Sequence, residues 1–347
     1  MHNGNVSFRT SQDVKNYRPD KQRFFSASHD EIRCGATADV YFVRTQEVLG
    51  LEGKDNTVVT AEIFASRAGV MAGTAECLLL LRGLPVEVWA VEEGETFQEK
   101  ETVVRIIGPY SQFGPYETAL LGILASSSGW ATAARECHDA TPGIPFVCFG
   151  ARHIHPAVAP VMERAAIIGG AAGAACVLGA KLAGQEPVGT IPHALVLIMG
   201  DTVKTALAYN RHMPKDAPRT ILVDTFHDEA EEALRVAQAL GKDLAAIRLD
   251  TPSERGGVTE GLVKEVRARL DQAGFSHVKI FVSGGVTPER MAGLAEAGVD
   301  AFGIGSYITA ARPIDMTMDV KAIEGRPIAK RGRIPGPVDN PKLKKMQ

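Results

Sequence analysis

Ile221-Leu222-Val223-Asp224-Thr225 and Ala246-Ile247-Arg248-Leu249-Asp250-Thr251 are two short apolar runs that each end in an acid and a threonine. Ile280-Phe281-Val282 runs instead into Ser283-Gly284-Gly285, and Ala301-Phe302-Gly303-Ile304 into Gly305-Ser306. A helical stretch follows each run. This is the punctuation of strand-helix units, in which a strand buried on both faces reads as an unbroken apolar stretch and the chemistry gathers where strands end. The pattern begins at Pro145-Phe146-Val147-Cys148-Phe149 and gives about seven units up to residue 314. Seven falls short of a closed eight-stranded barrel, so the fold class expected is α/β: an irregular seven-stranded α/β barrel behind an amino-terminal α+β sheet domain.

Upstream, residues 1–20 read as a loose arm and residues 21–120 as the α+β domain. Asp39 to Val43 reads as a strand and Ala61 to Leu84 as a helix. Val86 to Val91 and Thr102 to Ile107 read as half-buried strands. Pro115 to Arg135 reads as a long helix broken near Ser126-Ser127-Ser128-Gly129, leading into a barrel over 121–314. The tail, 315–347, is rich in Pro, Gly and basic residues, which exclude another unit, and is expected to return to the first domain.

Composition narrows the function classes. The 347 residues are 45% hydrophobic, and 38 basic side chains against 41 acidic ones leave a net charge of −3. That balance does not favour nucleic-acid binding. No apolar run reaches the roughly 18–20 residues of a membrane span. Residues 1–21 carry no apolar signal core, so a cytoplasmic location is expected. The five cysteines are odd in number and form no C-x-x-C pair, which supports neither a disulfide framework nor a zinc site. Cys148 and Cys176 are expected to be buried, inert thiols.

Several constellations can carry chemistry. Ser283, Gly284 and Gly285 end one strand and open a helix, and Gly303, Gly305 and Ser306 do the same one unit later. Exposed amides at two consecutive turns of this kind form a phosphate site. The bland alternative is tight turns without a ligand. Asp224 and Asp250, beside Thr225 and Thr251, can accept hydroxyl hydrogen bonds from a ribose, or can simply cap the helices that follow. Arg152, His153 and His155 cluster after the first barrel strand, where a guanidinium suits a carboxylate or a phosphate. The H-x-H spacing alone is a weak metal signal, and no metal site is assigned. Gly189-Thr190-Ile191-Pro192-His193 places a histidine in a helix's first turn, with Thr190 as expected cap and Pro156 opening an earlier helix. The helix start disfavours an imidazolium there, so His193 reads as a neutral nucleophile, or else as a residue that only bonds the backbone.

In this order, Arg152-His153-Ile154-His155-Pro156, Gly189 to His193, Val223-Asp224-Thr225, Arg248-Leu249-Asp250 and Ser283-Gly284-Gly285 resemble the nicotinate phosphoribosyltransferases, most of all their shorter, archaeal-type branch. Glu117-Thr118-Ala119-Leu120-Leu121 also fits, and Glu93 to Thr96 resembles the amino-terminal domain shared with quinolinate phosphoribosyltransferase. The likeness spans about residues 24–340. It implies transfer of phosphoribose from phosphoribosyl pyrophosphate to nicotinate in NAD biosynthesis, with Mg²⁺ chelated by the pyrophosphate. It implies a homodimer, or a multiple of dimers, with sites between subunits. Arg152 would hold the nicotinate carboxylate, Asp224 and Asp250 the ribose hydroxyls, and the Ser283–Gly285 and Gly303–Gly305 turns the 5′-phosphate. His193 matches the histidine that family members phosphorylate from ATP.

Quinolinate is the close alternative acceptor. Its second carboxylate calls for more cationic charge, yet Gly169 to Ala175 carries none, which favours the mono-acid. In the other direction, Arg152-His153-Ile154-His155 stands where many nicotinate enzymes carry a run of arginines, and the cysteine cluster of some archaeal-type members is absent. A barrel synthase or lyase acting on a sugar phosphate would share the glycine turns and acids but not Gly189 to His193. A catalytically silent scaffold would not need so complete a set.

Overall fold

The computed structural model describes residues 8–347, which form two compact units: residues 8–131 with 312–347, and residues 132–311. The division between them falls inside one continuous helix, Glu117–Ala140.

The first unit is an antiparallel sheet. Its strand order is Arg326–Pro327, Met316–Ile323, Val58–Ala65, Thr102–Pro109, Glu87–Ala90 and Lys344–Lys345. The tail therefore supplies three strands, pairing Ala65 with Met316 and Ala90 with Lys344. Ala61, Ile63 and Ala65 alternate into a core shared with Phe97, Val104, Ile106, Leu120 and Leu124. The intervening Glu62 points to the other face and meets Arg105 at 2.8 Å.

Several local expectations are corrected here. Ala61 to Leu84 is not one helix: period-two burial makes Val58–Ala65 a strand, and only Thr74–Leu81 is helical, after a left-handed Gly73 (φ +92°). Asp39 to Val43 is not a strand. Its β-branched and aromatic residues open the Val40–Leu51 helix, in which Phe42 and Val43 are buried, so tertiary packing overrides propensity. The arm contains a short helix, Ser11–Asn16, opened by a reciprocal Thr10–Asp13 capping box; residues 1–7 of that reading lie outside the described residues. Ser126 to Gly129 does not break its helix. A Cβ on Gly129 would stand 2.6 Å from the Arg312 carbonyl oxygen, so the small residue admits a crossing backbone instead.

In the second unit six strands, all parallel, run in the order Gly173–Ala174, Phe146–Cys148, Ala301–Ile304, Lys279–Val282, Ala246–Leu249 and Thr220–Leu222. Six are paired where seven were expected; Val188 makes one backbone bond to Ala174 and extends no further as a strand. Helices follow the strands as the sequence predicts, among them Glu229–Leu240, Glu260–Gln272 and Pro288–Glu296. The helix expected to open at Pro156 begins later, as Ala159–Gly169, with Pro160 rather than Pro156 in its opening turn. Among the described residues no helix is long and apolar enough to cross a membrane, and all five cysteines are free thiols.

Candidate functional site

Strand register assembles the site. Leu222 pairs with Arg248, and Val282 with Leu249 and Phe302. Continuing those registers past the strand ends puts Asp224, Asp250, Ser283 and Gly303 on a single row. Arg248 and Asp250, two residues apart, share one face of their strand.

Arg248 is the hub of this row. Its Nε donates to Ser283 Oγ at 2.7 Å, one terminal nitrogen donates to Thr190 Oγ1 at 2.8 Å, and the other lies 3.0 Å from Asp250 Oδ2. Its guanidinium carbon sits 5.4 Å from the centroid of the Phe149 ring, which stacks on Phe281 at 5.7 Å. Ser283 Oγ in turn donates to Asp250 Oδ1 at 2.7 Å. Gly303 explains how two phenyl rings fit: a Cβ there would stand 2.6 Å from Phe149 and 2.9 Å from Phe281.

Beside the hub lies a cavity of about 280 Å³ lined by Phe149, Arg152, Cys176, Thr190, Pro192 and Arg248, with four further residues. Cys176 is half-buried here rather than buried. Arg152 is exposed and makes no ion pair among the described residues, whereas Arg248 is engaged by Ser283, Thr190 and the Asp250 carboxylate. The cavity thus offers one uncommitted planar cation next to an aromatic ring.

A second pair lies one residue beyond Pro192. His193 opens the His193–Met199 helix, and its Nε2 is 3.1 Å from Asp224 Oδ2. The Asp224 side chain is 1% exposed, its Oδ1 is buried without a hydrogen-bond partner, and burial pushes its pKa upward, against the lowering effect of His193; the nearby Asp250 charge adds to the rise. A buried, half-satisfied carboxylate of this kind is a ready acceptor for a ligand hydroxyl.

The structure decides between several alternatives. Neither acid caps a helix: Asp228 caps the helix after Asp224, and Thr259 the one after Asp250. Thr190 does not cap either, since its hydroxyl accepts from Arg248 and no side chain bonds the start of the His193 helix. Gly284 and Gly285 adopt left-handed conformations (φ +84° and +60°). A Cβ on Gly284 would come within 3.1 Å of Asp250 Oδ1. Gly305 leads into the short Ser306–Thr309 helix and packs against His153. His155 turns away from the cavity: its Nδ1 accepts the Ala157 amide at 3.1 Å. Thr225 Oγ1 is buried and unpartnered. Asp224, His193, Asp250 and Ser283 do not line the cavity itself; Asp250 and Ser283 reach it through Arg248. No group of three metal-binding side chains occurs among the described residues.

Sequence reasoning missed Phe149 and the central place of Arg248. The available signal was an arginine inside an otherwise apolar strand, which has to find buried partners.

Comparison with known proteins adds the family context. Residues 39–128 match the model of the quinolinate phosphoribosyl transferase N-terminal domain, and residues 130–319 that of its C-terminal domain. A Pyrococcus furiosus crystal structure described as a nicotinate-nucleotide pyrophosphorylase superposes with a TM-score of 0.86 at 46% identity, covering 91% of this chain and 82% of that one. A nicotinate phosphoribosyltransferase of Mycobacterium tuberculosis is 32% identical over 249 residues, 69% of this chain. The chain spans about half the length of that relative, 52%. The human nicotinate-nucleotide pyrophosphorylase (carboxylating) is 25% identical over 273 residues, 78% of this chain and 85% of its own length.

Proposed function

The chain belongs to the quinolinate phosphoribosyl transferase family, and from that premise we propose that it transfers phosphoribose from phosphoribosyl pyrophosphate to the ring nitrogen of a pyridine carboxylic acid, a step of NAD biosynthesis. The carrying observation is the convergence of Arg152, Thr190, Phe149 and Arg248 on one cavity, with Asp250 and Ser283 bonded behind it.

The reaction needs little from the protein besides placement and charge. The pyridine lone pair forms the bond to the anomeric carbon as the bond to pyrophosphate breaks, so no general base is required. Positive charge develops on the ribose in the transition state. Fixed carboxylates stabilise it; Asp224, with its bare Oδ1, and Asp250 are suited to this and to the ribose hydroxyls. The Ser283–Gly285 and Gly303–Ser306 turns would take the 5′-phosphate. Mg²⁺ would arrive chelated to the pyrophosphate of the substrate. The flat acceptor would lie against Phe149 and Arg248, its carboxylate toward Arg152.

For the acceptor we favour nicotinate, because the cavity holds one uncommitted cation. Quinolinate is the second reading, and the comparisons weigh toward it: both family models carry that name, and the 46%-identical structure is described as a pyrophosphorylase. The coupling to ATP through His193 is likewise a proposal. It draws on the Asp224 contact, which engages Nε2 and leaves Nδ1 to accept a phosphoryl group. A homodimer, or a multiple of dimers, remains part of the proposal.

The test is direct. The purified chain is incubated with phosphoribosyl pyrophosphate, Mg²⁺ and either nicotinate or quinolinate, with and without ATP, and nucleotide and released CO₂ are measured. Nucleotide from nicotinate without CO₂ is the expected result. CO₂ release from quinolinate would establish the second reading, and no nucleotide from either acid would remove both.

A further inference from the structure

Glu163 is a carboxylate with no place in the chemistry above, yet it is 0% exposed. It projects from the Ala159–Gly169 helix into the junction of two strand-end loops. One loop follows the Phe146–Cys148 strand and carries Arg152; the other follows Gly173–Ala174 and carries Cys176. Both line the cavity. The Cys176 amide donates to Glu163 Oε2 at 2.6 Å. Burial raises the pKa of Glu163, and the amides of Cys176, Ala151 and Ala175 oppose that rise; the Ala151–His153 turn packs directly on the Ala159–Gly169 helix, so both loops border the helix that carries this carboxylate.

The next helix, Val177–Leu182, closes over this group through Gly179, where a Cβ would stand 3.0 Å from Glu163 Cβ and 3.3 Å from Oε2. Glu163 Oε1 has no hydrogen-bond partner. A carboxylate buried in this state costs stability relative to a well-packed apolar side chain. Packing alone therefore does not account for it, whereas linking two loops through their backbones does.

We propose that Glu163 is a positioning residue for the acceptor end of the cavity: it ties the Arg152 loop to the Cys176 loop and thereby sets where the Arg152 guanidinium stands. This rests on reading the cavity as the pyridine-acid site. Glu163 touches no substrate itself.

The test uses Glu163→Ala and Glu163→Gln in the full chain, read by steady-state kinetics and by amide hydrogen exchange. Losing charge-assisted bonds to the backbone is expected to raise KM for the pyridine acid about tenfold in Glu163→Ala, with KM for phosphoribosyl pyrophosphate and kcat each within about threefold. Glu163→Gln, which keeps an acceptor for the Cys176 amide, is expected to recover most of that loss. Amide exchange should quicken in Glu163→Ala at residues 150–152 and 174–177 and stay unchanged in the Ala246–Leu249 strand. Unchanged exchange in both loops would overturn the proposal, as would a parallel rise of both KM values or a smaller active fraction at constant KM. If Glu163→Ala does not fold, Glu163→Met, which keeps most of the volume but removes the acceptor for the Cys176 amide, carries the same test, with faster exchange at the two loops as the supporting outcome. A wild-type chain inactive with every pyridine acid would sink the acceptor reading alone; the exchange measurement would still decide whether Glu163 ties the loops.

Discussion

The Arg248 guanidinium lies 3.0 Å from the Asp250 carboxylate, two positions further along the same chain segment. With both side chains mostly buried, at 11% and 16% exposure, each neutralises the other at the cavity wall, and Ser283 bonds to both. The acid the sequence marks for ribose is thus also the counter-ion of the residue that lines the proposed acceptor cavity.

Asp250→Ala should therefore do two kinds of damage. It removes the proposed ribose contact and leaves Arg248 partly buried without its charge partner. Turnover is expected to fall by about 10²-fold or more while the circular dichroism spectrum is unchanged. A rate near wild type would remove Asp250 from the chemistry.

Asp224 gives a pH signature. Its raised pKa means that it takes up a proton at a higher pH than an ordinary aspartate, so a rate that needs its charge is lost as pH falls through that raised pKa. The acid limb of the kcat profile should lie above the usual aspartate range, and Asp224→Asn should abolish that limb along with most of the rate. An acid limb that survives in Asp224→Asn would assign it to another group.

His193→Ala is expected to lose ATP stimulation while keeping more of the basal transfer. Phosphate incorporation from labelled ATP, with acid lability characteristic of phosphohistidine, is the companion measurement. Stimulation by ATP in the variant equal to that of the wild type would end the phosphohistidine reading.

Gly303→Ala would place a Cβ within 2.6 Å of Phe149. Overpacking of this kind costs about 1–3 kcal/mol and should tilt the ring that underlies Arg248. A lowered melting temperature together with weakened binding of the pyridine acid is expected; Gly261→Ala, where the nearest atom is 3.8 Å away, serves as control.

In the first unit, burial, reinforced by the Asp319 charge and opposed by Lys330, pushes the Glu117 pKa up to about 7. A raised acid pKa means that the folded state holds the proton more tightly than the unfolded one. The penalty is absent below the unfolded value of 4.5, grows as pH rises, and is complete above about 7. Glu117→Gln is expected to stabilise the protein by about 1 kcal/mol near pH 8, after allowance for solvent screening, and to have no such effect near pH 4. Chemical denaturation at the two pH values checks it.

The second unit was readable wherever one physical signal dominated. Four apolar runs ending in Asp224, Asp250, Ser283 and Gly305 could only be strands opening into loops, and each strand lies close to its run. The first unit was harder. Ala61 to Leu84 mixes strand and helix within one small-residue stretch, and Val40 to Val43 has strand propensity inside a helix. In both places a neighbour remote in sequence makes the choice.

The sequence by itself determined which residue types sit at the strand ends, because alternation of apolar runs with helical stretches is local and periodic. Only the tertiary structure decided who meets whom. Register places Ser283 beside Asp250 across 33 positions of chain, turns Arg248 onto Thr190 and Phe149, sends His155 to its own backbone, and buries Glu163 between two loops. Pairing of this sort depends on hydrogen-bonded alignment between distant strands and on the space left by Gly303 and Gly179, and neither is encoded in any local stretch.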